Sequence, residues 1–186
     1  MRKKLLEKIA IPDGVACEYT SGIFRCKKDL IEVSREINVP QVEVKVKGNE
    51  VILECKKGNK IQYKTIVSFL MHIKNMFQGL NEKFVYKLES VNVHFPMTIK
   101  IESDKLVISN FLGEKVSRHA KILPNVDVEI KGPNITVSSV DRDAAGQTAA
   151  NFEKATKVKG RDKRIYQDGI YIVEKPARRE NNVTRI

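Results

Sequence analysis

Two segments of the chain carry the same alternation of apolar and polar positions. Val42–Cys55, VEVKVKGNEVILEC, alternates about a Gly-Asn turn, the pattern of a β-hairpin with one buried face. Val126–Ser139, VDVEIKGPNITVSS, repeats it about Gly-Pro-Asn. Val42, Val44, Lys47 and Gly48 recur as Val126, Val128, Lys131 and Gly132 at a constant offset of 84. Just upstream, Val33, Ser34 and Arg35 recur as Val116, Ser117 and Arg118, and Pro40 recurs as Pro124. Eight identities in order with a single one-residue gap point to an internal duplication rather than to two hairpins sharing turn chemistry.

Each hairpin leads into a helical pattern. In the first copy Ile66, Phe69, Leu70, Ile73, Met76, Phe77 and Leu80 fall at three- and four-residue spacings, a stripe wide enough to cover a sheet, and Gly79 is placed to cap the helix. In the second, Asp141 suits an N-cap. There the stripe thins to Ala145, Ala149, Phe152 and Thr156, and Gly160 ends the helix. Gly146 costs that helix roughly 0.5–1 kcal/mol relative to Ala. So small a face admits something close, either the sheet beneath or a nucleic-acid backbone.

Further strand-like runs precede each hairpin: Val15–Tyr19, Ile23–Lys27 and Leu30–Ile37, then Phe84–Val93, Met97–Glu102, Leu106–Asn110 and Lys115–His119. Antiparallel strand sets with one late helix each predict the α+β class, built as two duplicated domains. The expected division is residues 1–80, residues 81–176 and a basic tail at 177–186, with almost no linker near Gly79–Glu82.

The net charge of +11 favours a polyanionic partner, nucleic acid or an acidic surface. Its placement sharpens this. Residues 81–153 hold nine Lys/Arg and ten Asp/Glu, whereas 154–164 hold six basic residues against one acidic. The tail adds three Arg against one Glu, and the first 80 residues scatter 15 basic among 9 acidic, as an ordinary solvated surface does. Cys17, Cys26 and Cys55 are odd in number and lack CxxC spacing, so neither a disulfide framework nor a zinc site is expected. They suit a reducing cytosol. The amino-terminal run, broken by Glu7 and Lys8, is no secretory signal, and no stretch approaches the ~18 apolar residues of a membrane span. The expectation is a soluble intracellular protein without a membrane partner.

No catalytic constellation is visible. His72, His94 and His119 lie far apart and read as structural residues, and there is no phosphate-binding glycine loop, HExxH or GxSxG. The chain is expected not to be an enzyme and to need no metal or cofactor. Lys157, Lys159, Arg161, Lys163 and Arg164 carry the strongest signal. Cations after a helix C-terminus favour its dipole, which accounts for one or two of them but not for a run continuing past Gly160. Gly160 and Gly169 let the backbone come close to a partner, arginine forks suit phosphate oxygens, and Tyr166 and Tyr171 offer rings. Tyr171 also lies in the alternating strand Ile170–Val173, where it can face the core. A turn of this kind grips phosphate and sugar with little base readout, as proteins grip structured RNA.

The segments HIKNMFQGL (72–80), YKLESVNVHFPM (86–97), NFLGEK (110–115) and GQTAANFEKATKVKGRDKRIYQDGIYIVEK (146–175) closely resemble the universal large-subunit ribosomal protein six family in its archaeal and eukaryotic form. Together they span over half the chain in the family's order. The family more often has Phe where this chain has Tyr166, which keeps the ring. The first 40 residues match only in general character, and the tail after Pro176 has no family pattern. The resemblance implies a non-enzymatic protein of two duplicated domains that supports translation in the cytoplasm, bound to large-subunit ribosomal RNA chiefly through the C-terminal domain. It implies a position near the sarcin–ricin loop and the stalk base, beside neighbouring ribosomal proteins and the docking region of translation GTPases. Carried onto this sequence, the RNA-binding set is Lys157, Lys159, Gly160, Arg161, Lys163, Arg164, Tyr166 and Gly169, with Gln147 and Asn151 on the small-residue helix as further candidates. An RNA-binding protein acting off the ribosome and an enzyme acting on nucleic acid are the alternatives.

Overall fold

The structure, a computed structural model, describes residues 3–37 and 41–177. The repeat position Pro40 and the basic tail from Arg178 onward lie outside the described residues. The chain divides into two compact units, Met1–Lys83 and Phe84–Ile186.

The first unit contains β1 (Lys3–Ala10), β2 (Ala16–Thr20), β3 (Ile23–Lys28), β4 (Ile31–Glu36), β5 (Glu43–Lys47), β6 (Glu50–Gly58) and helix α1 (Lys60–Asn81). They form two antiparallel sheets, ordered β1–β6–β5 and β2–β3–β4. The second unit repeats the plan with β7 (Phe84–Val91), β8 (Thr98–Glu102), β9 (Lys105–Ser109), β10 (Arg118–Lys121), β11 (Asp127–Lys131), β12 (Asn134–Ser139) and α2 (Arg142–Ala155). One strand, β13 (Gly169–Glu174), has no counterpart among the described residues of the first unit. It pairs with β7, so the sheet reads β11–β12–β7–β13, beside the three-stranded β10–β9–β8. The α+β class and the duplication are thus realised strand for strand, with β7 in the place of β1 and β13 added beyond it.

The hairpins form where alternation and turn chemistry agree. Gly48 and Gly132 take φ values of +55° and +62°, the conformation their tight turns require, and the strands beyond them bury Val51, Leu53, Ile135 and Val137. Helix α1 buries Ile66, Ile73, Met76, Phe77 and Leu80 of its expected stripe and is closed at its start by Asn59 and Gln62, each side chain accepting the other's backbone N–H. None of the helices in the described residues is long and apolar enough to cross a membrane.

Several details depart from the sequence reading, among them the expected strand Lys115–His119, of which only Arg118 and His119 lie in β10. Strand β1 is absent from the expected elements. Its inward positions run Leu5, Glu7, Ile9, and the outward Leu6 stays 46% exposed, so its hydropathy does not alternate. Gly79 does not cap α1: the helix runs on to Asn81, and Gly79 is one of its buried residues. Gly160 does not end α2, which stops at Ala155 with Thr156 as its C-cap. The orphan carbonyls there find other donors, so the chain leaves the helix a turn before the glycine.

Candidate nucleic-acid interface

Helix α2 delivers the basic run, and its packing fixes where the run begins. Asp141 caps its start by accepting the Asp143 N–H at 2.9 Å, while Ala145, Ala149 and Phe152 are fully buried. A Cβ on Gly146 would lie 2.9 Å from the hydroxyl of Tyr86 on β7. The small residues therefore let the helix settle on the sheet.

At the other end Arg118 of β10 closes the helix. Its guanidinium donates to the Ala155 and Lys157 carbonyls at 2.9 and 3.3 Å and grips both oxygens of Glu114 at 2.7 and 2.6 Å. This fork holds the Glu114 carboxyl below its ordinary pKa. The guanidinium also lies 4.3 Å from the centre of the Phe111 ring. Thr156 then ties the helix end to β13: its buried hydroxyl donates to the Phe152 carbonyl at 3.3 Å and accepts the Ile170 N–H at 2.9 Å.

The loop from Lys157 to Asp168 is pinned at intervals between exposed cations. Val158 drops into the core, and Gly160 turns the chain at φ +69° with open space where a side chain would be. Asp162, the single acid of the run, is the turn-former. Its carboxylate accepts the Arg164 N–H at 2.9 Å, and its carbonyl accepts those of Ile165 and Tyr166 at 3.2 and 2.9 Å. Asp168 anchors the far end. One of its oxygens accepts the N–H groups of Val93 and His94 at 2.8 and 2.9 Å, and the other lies 2.6 Å from His94 Nδ1. Burial pushes this carboxyl up, but the His94 and Val93 hydrogen bonds outweigh it and hold the pKa down to about 2. The His94 ring stacks on Tyr166 with centroids 4.8 Å apart, and the Arg161 guanidinium lies at the same distance from the Tyr166 ring.

The anchors leave the expected cations outward. Lys157, Lys159, Arg161, Lys163 and Arg164 are all exposed, the Arg164 side chain to 91%. Lys157, Lys163 and Tyr166 line a hollow of about 300 Å³ together with Lys154, Tyr171 and one carboxylate, Glu153. Lys159 lines another of about 430 Å³ with Arg118, His119 and again Lys154. Gly169, buried, starts β13. Tyr171 faces outward at 42% exposure, with its hydroxyl donating to the Gln167 carbonyl at 3.0 Å, so it is not a core residue. Gln147 and Asn151 stand apart from the loop: the Gln147 amide donates to Asn151 at 2.9 Å, and Asn151 donates to the Lys121 carbonyl at 3.0 Å, joining α2 to the end of β10.

Lys154, Arg118 and His119 are the cationic or ionisable residues that site reasoning from sequence missed. Lys154 belongs to the counted basic run, and Arg118 is one of the repeat identities, so both had a signal; His119 had none. Among the described residues no cluster of three or more His, Cys, Asp or Glu side chains is arranged to hold a metal ion. What the arrangement offers chemically is a rigid array of lysine and arginine donors with tyrosine rings between them, suited to phosphate oxygens.

A family model described as ribosomal protein L6 matches residues 95–169, which include the start of the loop, all its expected cations and Asp168. The large ribosomal subunit protein uL6 of Methanosarcina mazei is 41% identical over 175 residues, covering 94% of this chain and 99% of that protein. The uL6 protein of Methanococcus vannielii is 42% identical over 169 residues, covering 91% and 93%. That of Methanothrix thermoacetophila is 38% identical over 175 residues, covering 94% and 99%.

Proposed function

The chain belongs to the ribosomal protein L6 family, and from this premise we propose that it is a structural, non-enzymatic constituent of the large ribosomal subunit in the cytoplasm. Its C-terminal domain, 81–176, makes the main contact with large-subunit ribosomal RNA through Lys157, Lys159, Gly160, Arg161, Lys163, Arg164, Tyr166 and Gly169. It lies near the sarcin–ricin loop, among neighbouring proteins of the stalk base and close to where translation GTPases dock. Gln147 and Asn151 contribute at the edge of this contact.

The observation that carries the reading is the pinned loop. Its exposed cations sit on a backbone fixed by Thr156, Val158, Asp162 and Asp168. A backbone already ordered loses little conformational freedom on binding, so more of the charge–phosphate attraction survives as affinity. The first 80 residues then serve as a spacer and a contact for neighbouring components.

Sedimentation of cell extract tests the placement. The expected result is co-migration with large subunits that persists in moderately high salt. Release at low salt would mean a protein acting off the ribosome and would sink the proposal. Chemical probing of subunits with and without the protein tests the finer position, with altered reactivity expected at and around the sarcin–ricin loop.

A further inference from the structure

Cys17 and Cys26 stand directly opposite each other on β2 and β3, with their sulfur atoms 3.3 Å apart. The hairpin joining these strands has a two-residue turn, Ser21-Gly22, with φ values of +52° and +83°, and its flanking pair is Thr20 and Ile23. Hydrogen-bonded and non-hydrogen-bonded pairs alternate along such a ladder. The flanking pair is hydrogen-bonded, so three steps on, Cys17 and Cys26 fall at a non-hydrogen-bonded position. There the Cα atoms of a pair approach to about 4.5 Å, inside the range a disulfide spans. The strands therefore need not move for a bond to close. Both side chains are thiols, Cys26 fully buried and Cys17 partly exposed, and Cys55, the remaining cysteine, is buried on β6.

We propose that Cys17 and Cys26 are a dithiol site that closes to a reversible cross-strand disulfide by exchange with a low-molecular-weight disulfide. Cys17, the accessible member, reacts first. Its thiolate attacks one sulfur of the reagent, forming a mixed disulfide and expelling the first reagent thiolate. Cys26 then gives up its proton and attacks the Cys17 sulfur, expelling the second. The protein loses two electrons and two protons, and the reagent leaves as two thiols. The hydrogen bond from Cys26 lowers the Cys17 pKa, while that same contact and burial raise that of Cys26, which matches the order of attack.

The test uses the full chain, reduced, freed of reductant with a chelator present, then exposed to oxidised glutathione. After acid quench, denaturation and alkylation, peptide mapping reads the products. A linked peptide pair joining Cys17 to Cys26, lighter by two hydrogens, is expected, with Cys55 alkylated and full reversal by reduced glutathione. Cys26→Ser should leave Cys17 as a persistent glutathione mixed disulfide, and Cys17→Ser should leave Cys26 unmodified under native conditions. Cys55→Ser should change neither product. A stable mixed disulfide on Cys17 in the unaltered chain, a bond involving Cys55, or no reaction short of unfolding would overturn the proposal. If Cys26→Ser does not fold, the Cys17→Ser and Cys55→Ser arms still decide it.

Discussion

The two copies of the repeat share six strands and a helix, yet only one continues past its helix into a further loop and strand. In the first, α1 carries a broad stripe with Phe77, Met76 and Leu80, and the outer edge of β1 has no strand beside it among the described residues. In the second, α2 carries alanines, and the chain continues through a pinned cationic loop into β13, which pairs with β7 at the corresponding edge. A scaffold duplicated intact keeps its strand plan in both copies, while new chain is added where a free strand edge can anchor it. The thin face of α2 fits the same account, since a helix lying close to the sheet brings the loop back to that edge.

The sharpest way to break this contrast is to remove charge from each copy in equal amount. Lys159→Ala, Arg161→Ala and Arg164→Ala together should weaken binding to a large-subunit ribosomal RNA fragment ~10-fold or more, and lower the log–log salt slope by about 0.7–0.9 for each phosphate no longer neutralised. Lys27→Ala, Lys47→Ala and Lys57→Ala, exposed in the first unit, should leave both quantities near their original values. Fluorescence anisotropy across a salt series measures both. Equal losses from the two triples would make the loop no more than part of a general positive coat.

Asp168 has no counterpart in the first copy, so its replacement asks whether the anchor matters. Asp168→Asn removes the charge that takes two backbone N–H groups and the His94 ring, and should cost about 1–3 kcal/mol in chemical denaturation. Asp29→Asn, exposed in a turn of the first unit, should change stability by less than ~0.5 kcal/mol. The acid limb gives an independent reading. The folded Asp168 pKa of about 2 lies below its ordinary 3.8, so its contribution is present above the ordinary value and is lost as pH falls from there toward the folded one. About 2 kcal/mol should disappear across that window, and Asp168→Asn should lack this component. An unchanged acid profile in the variant would show the anchor to be dispensable.

How much of this could be read from the chain divides along a physical line. Hairpins and helix stripes were legible because periodicity of two or of three to four residues reports directly which face is buried, as Val44, Leu53, Ile135 and Phe152 do. The cations of the loop were legible because their density exceeds what a helix terminus needs. The anchors were not. Asp168 meets His94 across 74 positions, and Thr156 meets Ile170 across 14, so each is an isolated polar residue with no periodic signature. In the sequence Asp162 reads only as an opposing charge, whereas it forms the turn. Strand β1 was hidden by Glu7 on its inward side, though the duplication itself, with β7 opening the second copy, implies a strand at that place.

Gly160 distinguishes rigidity from charge within the loop. At φ +69° with open space around the missing Cβ, Gly160→Ala meets no neighbour and suffers only backbone strain, about 1–2 kcal/mol. All the cations remain. RNA affinity should nonetheless fall severalfold at unchanged salt slope, because the strain shifts the loop toward conformations other than the held one. Anisotropy over the same salt series reads this, and an unchanged affinity would show that charge alone suffices.

The smallest effect concerns the alanine face of α2, where sheet packing and contact with nucleic acid make opposite forecasts. In Gly146→Ala the new methyl would press on the Tyr86 hydroxyl, 2.9 Å away at the tip of a side chain that can tilt. That strain opposes a gain in helix propensity of about 0.5–1 kcal/mol, so the net change in stability should stay within ~1 kcal/mol. Adding Tyr86→Phe removes the nearer oxygen and leaves the ring carbon at 3.3 Å to yield a few tenths of an ångström. The double variant should therefore lie closer to the original stability than Gly146→Ala with its tyrosine intact. Because the constraint is internal, RNA affinity should not move in either variant. A loss of affinity at unchanged stability would instead put the RNA backbone against the alanine face of this helix, beyond the edge contact of Gln147 and Asn151.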